Sequence, residues 1–406
     1  MQKMLAIIGG GAAGFFAAIN AAELNPQLQV HVFEKGNAFL QKVKISGGGR
    51  CNITHACFDP QELIKFYPRG SKELLGPLYI FNPDHTIDWF RKRGIKIVKE
   101  DDGRMFPSTN TSQTITDCFL QETEKNNIHL HLQKGVQQIE KLDSGKWKLI
   151  LSDKKEFVCD HLLITSGSSN QIWNMLKQLG HTIESPVASL FTFNIKDARI
   201  KDLMGVSVAN AFCSIVNTKL NTAGPLLITH WGLSGPSILK LSAWAARELA
   251  AMHYQFQLKI NFITESNYQS CLEILSANKK SSPKKTVQLT NNFNLPSRLY
   301  KSLCDHAEIS ATLNWSDISK EKIQLLAKNL TESIFDVNGK SNFKDEFVTC
   351  GGIKLYEVDF KTMQSKIHNN LFFAGEVLNI DAVTGGFNFQ SAWTTGFIAA
   401  TAIAEK

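Results

Sequence analysis

Gly9-Gly10-Gly11-Ala12-Ala13-Gly14 sets three glycines at the spacing G-x-G-x-x-G, and Glu34 follows at the end of the next apolar run. In a dinucleotide site each of these residues has a task. Gly9 permits a tight strand-to-helix turn, Gly11 lets backbone approach a pyrophosphate, and Gly14 lets the helix pack closely on the strand. Glu34, roughly 20 to 25 residues past the turn, is placed to accept hydrogen bonds from an adenosine ribose. A second candidate is Lys42-Val43-Lys44-Ile45-Ser46-Gly47-Gly48-Gly49-Arg50-Cys51-Asn52, whose glycines can approach a ligand and offer it N–H groups between cations. Read alone this is equally a flexible surface loop, and its position just after Glu34 favours the ligand.

Four side chains could also do chemistry. Cys51 sits beside Arg50 and a glycine nest, a setting that favours thiolate, or else it packs beneath a ligand. His230 precedes the glycine turn at Gly232 to Gly235 and could donate a proton or polarise an oxygen, or else brace the helix opening at Ser234. His129 and His131 alternate with apolar residues and so share one strand face. A metal would need a third ligand that the neighbouring sequence does not offer, so a solvated face is expected.

These residues need elements to position them. Met4 to Ile8 is a short apolar strand, Phe15 to Leu24 an alanine-rich helix without proline, and Val30 to Phe33 a second strand. Residues 61 to 94 read as helical up to a stop at Gly94, and Thr114 to Lys125 as another helix. Residues 136 to 160 form a small antiparallel meander with turns at Asp143-Ser144-Gly145 and Asp153-Lys154-Lys155. Leu162 to Thr165 is a buried strand that can return to the first sheet and bring Ser166-Gly167 beside a ligand. Beyond residue 189 the texture changes. Leu190 to Ile195, Val206 to Val216 and Phe256 to Phe262 are β-like, Ser234 to Met252 is helical, and 267 to 330 is lysine-rich and mainly helical with breaks at Pro283 and Pro296. The end returns to a strand at Phe372-Phe373, a glycine turn at Gly385-Gly386 and a helix over 391 to 404.

Length and composition bound the class. A chain of 406 residues, 43% hydrophobic and 20% charged, suits a globular protein of two or three domains. No apolar run reaches the roughly 18 residues of a membrane span, and the amino end is too short in apolar residues for a signal core, so a cytoplasmic protein is expected. Eight scattered cysteines without a C-x-x-C pair suit reduced thiols better than disulfides or zinc. The net charge of +7 is compatible with an anionic cofactor, an anionic substrate or RNA.

Together these segments resemble the BaiN/YhiN-like family of FAD-dependent proteins, also labelled aminoacetone-oxidase-family FAD-binding enzymes. The resembling residues are the Gly9 to Gly14 turn with Glu34, Ser46 to Asn52, Gly103 to Pro107, Thr229 to Pro236, Cys350-Gly351-Gly352, and Phe373 to Val377 through Gly385 to Gln390. The resemblance implies an α/β fold: a Rossmann-like, glutathione-reductase-type FAD-binding domain with inserted β-barrel-like and helical subdomains. The expected boundaries are 1–188 and 343–406 for the discontinuous FAD-binding domain, 189–262 and 331–342 for the barrel-like insert, and 263–330 for the helical subdomain. By similarity, FAD contacts Gly9, Gly11, Ala13, Gly14, Glu34, Lys35, Lys42, Asn52, Val136, Gly167, Gly375, Glu376, Asp381, Phe387 and Asn388.

The implied activity is that of an FAD-dependent oxidoreductase, with hydride transfer at the flavin as its reaction class. An activated C=C bond reduced by NAD(P)H is the leading expectation, with His230 and Cys51 as candidate catalytic residues. With no second G-x-G-x-x-G, NAD(P)H would bind transiently over the flavin, or another donor would serve. Formation of dihydrouridine in ribosomal RNA and oxygen-dependent oxidation of a small amine are the competing activities, so small molecule and RNA both stand as substrate classes. The chain departs from the family pattern at Ser168 to Ile172 and at Gly224-Pro225, both around the expected substrate side.

Overall fold

Met4–Ile8 forms strand β1, and from Leu5 onward it is buried, as a short apolar run bounded by a glycine turn should be. Strands β2 (Gln29–Phe33), β3 (His129–His131), β4 (His161–Ile164) and β5 (Leu371–Phe373) join it in one sheet. Their spatial order is β5-β4-β1-β2-β3, all parallel, with Ile7 held between Val32 and Leu163. Two short antiparallel strands, Gln364–Ser365 and Val358–Asp359, extend the sheet beyond β5. This computed structural model describes residues 2–340 and 348–406. The described chain divides into two compact units, 1–187 with 348–406, and 188–347.

In the first unit, helix α1 (Ala12–Leu24) is buried continuously from Ala13 to Ala22. Covered on both sides, it needs no polar face, and Phe15 and Phe16 each contribute about 2–3 kcal/mol by burial. One cover is helix α2 (Phe387–Ala404), which crosses it through small residues: a side chain on Gly396 would meet the Ala13 carbonyl at 3.1 Å. Residues 61 to 94 are helical in pieces, Pro60–Leu63, Ser71–Ile80 and Pro83–Arg91, rather than in one run. The breaks fall at the left-handed Gly70 and at Asn82, which caps the last helix ahead of Pro83. The meander over Val136–Lys141, Trp147–Leu151 and Glu156–Cys159 is as expected.

In the second unit six strands close an antiparallel barrel in the order Phe193–Ile195, Gly232–Ser234, Asn221–Ile228, Ser207–Ile215, Gln255–Asn261, Ser333–Lys340. Three of them were not expected. Asn221–Ile228 carries Gly224-Pro225, which reads as a turn, yet here the ladder shifts register between Val208 and Ala211 and so accommodates a residue without an N–H. The expected helix over 234 to 252 is two, Pro236–Trp244 and Ala246–Ala251. Helices Tyr268–Ser281, Ser297–His306 and Lys320–Thr331 share one apolar core with the barrel, in which Ile260 and Phe335 join Leu303 and Leu326. The expected boundary at 342/343 lies outside the described residues. No helix among the described residues is long and apolar enough to cross a membrane.

Candidate FAD site

The turn after β1 is built as its glycines require. Gly9 has φ 115°, and a side chain there would come within 2.4 Å of the Thr165 carbonyl oxygen. One on Gly14 would meet the Gly9 carbonyl at 2.1 Å. Gly11 is different: a Cβ there has no heavy atom of the surrounding protein within 4 Å. Gly9 and Gly14 are therefore required by the protein's own packing, whereas Gly11 faces open space at the N-terminus of α1. That terminus has no side-chain cap and no acid in its first turn, so its N–H groups are left for an anion. Beside it, Ser166 Oγ is buried without a hydrogen-bond partner among the described residues.

Glu34 closes the turn from the other side. Its Oε2 accepts from Gly10 N–H at 2.9 Å and its Oε1 from Gly36 N–H at 2.7 Å, which fixes the carboxylate at the mouth of the turn. Lys35 is exposed next to Gly135, and Val136 is buried just beyond, so these three positions adjoin. On the other flank Lys42 Nζ pairs with Glu376 Oε2 at 2.7 Å, and Glu376 Oε1 accepts from Thr349 N–H at 3.1 Å. Gly167, with φ 58°, lies against Glu376, and Gly375 lies against Ala13. Residues from positions 9 to 376 thus form one cradle.

The second half of the cradle is the N-terminus of α2, also uncapped by any side chain. Asn52 ties the glycine loop to it, accepting from Gly386 N–H at 2.9 Å and donating to Thr54 O at 2.9 Å. Asn388 braces the preceding turn by two hydrogen bonds to Ala382, at 2.9 and 3.0 Å. Phe387 stacks with Phe66 and with His55, at ring-centre distances of 4.3 and 4.7 Å, in a three-ring cluster in which Phe66 and His55 also touch. Asp381 is fully buried and held by both nitrogens of an Arg69 fork. Arg69 went unnoticed in the sequence because 312 residues separate the pair, and only the Pro68-Arg69-Gly70 turn hinted at a special position.

The glycine loop opens as a helix at Gln41, and the helical geometry breaks at Ser46, within the span Gln41–Gly49. Gly47, Gly48 and Gly49 are all left-handed, with φ 58°, 68° and 82°. Cys51 is also left-handed and has no exposed surface. Burial pushes its thiol up to about 12, which favours the enclosed, protonated thiol over the thiolate. Arg50 is turned elsewhere, paired with Glu100 at 2.7 Å and lying over the Phe106 ring.

His230 belongs to the other unit. It is exposed at the tip of the hairpin between Asn221–Ile228 and Gly232–Ser234, edge-on to Trp231. His129 and His131 do not simply face solvent. His31 of β2 lies between them, 4.5 Å ring to ring from His129, with its Nδ1 3.0 Å from His131 Nε2. The partner came from a strand 98 residues earlier in the chain, which spacing within β3 does not reveal. Burial, with the two neighbouring imidazoles, pushes His31 down to about 4. Among the described residues no group of three or more His, Cys, Asp or Glu side chains is arranged to hold a metal ion.

The residues fit FAD: an open backbone approach at Gly11, two uncapped helix N-termini, an unpartnered buried hydroxyl and an acid fixed at the mouth. The chain is 24% identical, over 417 residues that cover both chains fully, to the 3-dehydro-bile acid delta(4,6)-reductase of Clostridium scindens. It is 27% identical, over 98% of each chain, to the ribosomal RNA dihydrouridine synthase of Haemophilus influenzae. Among solved structures it is similar to the 3-ketosteroid-delta4-(5alpha)-dehydrogenase of Rhodococcus jostii RHA1, with a TM-score of 0.52 at 14% identity over 99% of this chain and 96% of that one. That last likeness is one of fold. A family model described as the HI0933-like protein Rossmann domain matches residues 3–402, and the chain belongs to this family of FAD-dependent oxidoreductases.

Proposed function

We propose that the protein is a reductase that passes hydride from NAD(P)H through FAD to a C=C bond activated by a neighbouring carbonyl. One observation carries the reading. Two relatives that match over essentially the whole chain have names that denote saturation of such a bond, one in a 3-dehydro bile acid and one in uridine. When bound, FAD supplies hydride chemistry at its N5.

The chain's own residues bind and orient. Gly9, Gly11, Ala13 and Gly14 bring the α1 N-terminus to the pyrophosphate, with Lys42 as a nearby cation. Glu34 accepts from the ribose hydroxyls, and Lys35 and Val136 flank the adenine. Gly167, Gly375, Glu376 and Asp381 line the middle of the cradle. Asn52, Phe387 and Asn388 form its floor at the α2 N-terminus. Saturating a conjugated bond also requires a proton at the second carbon, and His230 is the group proposed to hold it. Cys51, protonated and enclosed, packs the loop rather than reacting.

RNA as the substrate is the second reading, and charge favours it. Residues 188–347 hold 18 lysines and arginines against 13 acids, most of the chain's positive excess. Within that unit Lys284 and Lys285 extend the basic end of helix Tyr268–Ser281, while Lys279 is engaged by the Ile318 carbonyl.

Anaerobic mixing of the FAD-loaded protein with NADH and NADPH tests the donor, and reoxidation by a conjugated enone or by a uridine-containing RNA tests the acceptor. Bleaching followed by acceptor-dependent recovery is expected. Peroxide release from an amine without added nicotinamide would replace the reading with an oxidase. His230→Gln is expected to slow reoxidation at least tenfold while leaving bleaching by the donor intact, and an unchanged rate removes His230 from the reaction.

A further inference from the structure

Gln390 is fully buried one turn inside α2, and its amide joins three other elements. Its Oε1 accepts from Thr54 Oγ1 at 2.6 Å and from Thr86 Oγ1 at 2.9 Å. Its Nε2 donates to Thr394 Oγ1 at 3.1 Å, and Thr394 Oγ1 donates in turn to the Phe81 carbonyl at 2.8 Å. Both lone pairs of the oxygen are filled by hydroxyl protons, so the amide has one satisfied orientation.

The two hydroxyls serve different neighbours. Thr86 lies on helix Pro83–Arg91, which carries none of the FAD contacts proposed above. Thr54 lies in the short strand Thr54–His55, two residues beyond Asn52. A side chain on Gly386 would meet the Thr54 carbonyl at 2.6 Å, and Asn52 accepts the Gly386 N–H. Trp393 Nε1 adds a bond to the Ile53 carbonyl at 2.9 Å. Residues 52 to 54 are therefore fastened to α2 at three successive levels, by Gly386, Gln390 and Trp393.

We infer that Gln390 is a positioning residue for the flavin: through Thr54 it locks the Asn52–His55 edge to the first turn of α2, so that Asn52, Phe387 and Asn388 present one fixed face. This rests on the flavin reading above. The amide also reports to a second element through the Thr86 hydroxyl, which lies 2.9 Å from Gln390 Oε1 and 3.3 Å from the Asn82 carbonyl, and this gives an internal control.

Thr54→Val and Thr86→Val each replace one hydroxyl on the same acceptor by a methyl of the same size. A merely structural network would lower the melting temperature in both variants and change FAD affinity in neither or in both alike. The positioning role predicts similar losses of melting temperature, with FAD binding about tenfold weaker and an altered flavin absorption band in Thr54→Val only. Thr54→Ser, which keeps the hydroxyl, restores affinity and spectrum, and Thr86→Val stays within about twofold of wild type. If Thr54→Val does not fold, Thr54→Ala takes its place with the same expectations. Equal affinity in both valine variants, whether wild-type or weakened, overturns the inference while FAD binding by the wild-type chain stands. Failure of the wild-type chain itself to bind added FAD is a separate result, which removes the flavin reading and this inference with it.

Discussion

Gly11 and Gly14 lie three residues apart in one motif, and substituting each by alanine should produce opposite defects. At Gly14 the new methyl would stand 2.1 Å from the Gly9 carbonyl oxygen and 2.8 Å from Thr165 Oγ1, both fixed by the β1–β4 pairing. The Gly9 carbonyl cannot retreat without moving backbone, and Thr165 Oγ1 can turn away only by giving up its hydrogen bonds to the Ile8 and Gly9 carbonyls, so Gly14→Ala should cost about 3 kcal/mol, a large part of the about 5–15 kcal/mol that typically separates folded from unfolded states. At Gly11 the backbone is extended, with φ −96° and ψ −164°, and the methyl meets no surrounding atom within 4 Å. The small loss of N-cap preference is offset by the gain from restricting the unfolded chain, leaving a net change within about 0.5 kcal/mol. The methyl does, however, fill the approach through which a pyrophosphate would reach the α1 N–H groups, and overpacking there should weaken FAD binding by about 2 kcal/mol, roughly 30-fold. Urea denaturation of the cofactor-free proteins measures the first effect and titration of flavin fluorescence the second. Gly11→Ala with wild-type FAD affinity would refute the reasoning, because it would show that the open space at Gly11 is not where the cofactor approaches.

Other outcomes follow from burial and charge. Burial, aided by its imidazole neighbours, pushes His31 down to about 4, and burial with Lys3 and Lys406 does the same to His161, against 6.5 for free imidazole. The neutral rings are favoured in the folded state, so their stabilisation is complete above pH 6.5 and is lost as pH falls towards 4. Discounted for solvent access, each ring should account for roughly 1–2 kcal/mol of that loss, and the urea midpoint of a His31→Gln variant should fall less between pH 7.5 and 4.5 than that of wild type; an identical fall would sink this account. Cys51 should react with iodoacetamide at pH 8 at least about 100-fold more slowly than a free cysteine, because its thiol is enclosed and protonated, and mass spectrometry of the folded protein reads this directly. Arg69→Met takes away both arms of the fork that holds the buried Asp381 and should destabilise the fold by about 3 kcal/mol; a shift of the urea midpoint equivalent to less than about 1 kcal/mol would mean that the remaining contacts of Asp381 suffice.

The parallel sheet was legible because its strands are short apolar runs that end in glycines or an acid, and Leu162 to Thr165 and Phe372-Phe373 show this as plainly as β1 does. The glycine turn was legible for the same reason: a Cβ at Gly9 or Gly14 has nowhere to go. Half of the barrel was not. Asn221–Ile228 contains Gly-Pro, a local turn signal that a register shift in the ladder overrides, and Gly232–Ser234 is too short to show a period of two. The site shows the same division. Gly11 and Glu34 could be read locally, whereas the Arg69–Asp381 fork, the His31–His131 contact and the Lys42–Glu376 pair join residues 100 or more positions apart. Between the two readings of Cys51, thiolate or packing, the sequence could not choose, because a neighbouring arginine favours a thiolate only if the guanidinium points that way, and Arg50 lies over Phe106 instead.

Helix α2, the last element of the chain, packs against α1, which is built from the first 25 residues, and β5 pairs with β4. A nascent chain emerging from the ribosome therefore carries α1 for most of its synthesis with one flank uncovered, whereas β1 gains both of its neighbours by residue 164. With the α2 N-terminus as the proposed second half of the cradle, cofactor capture is expected to wait until translation is nearly finished, and a message truncated before residue 371 should yield a polypeptide that does not retain the nucleotide, however intact its amino-terminal motif.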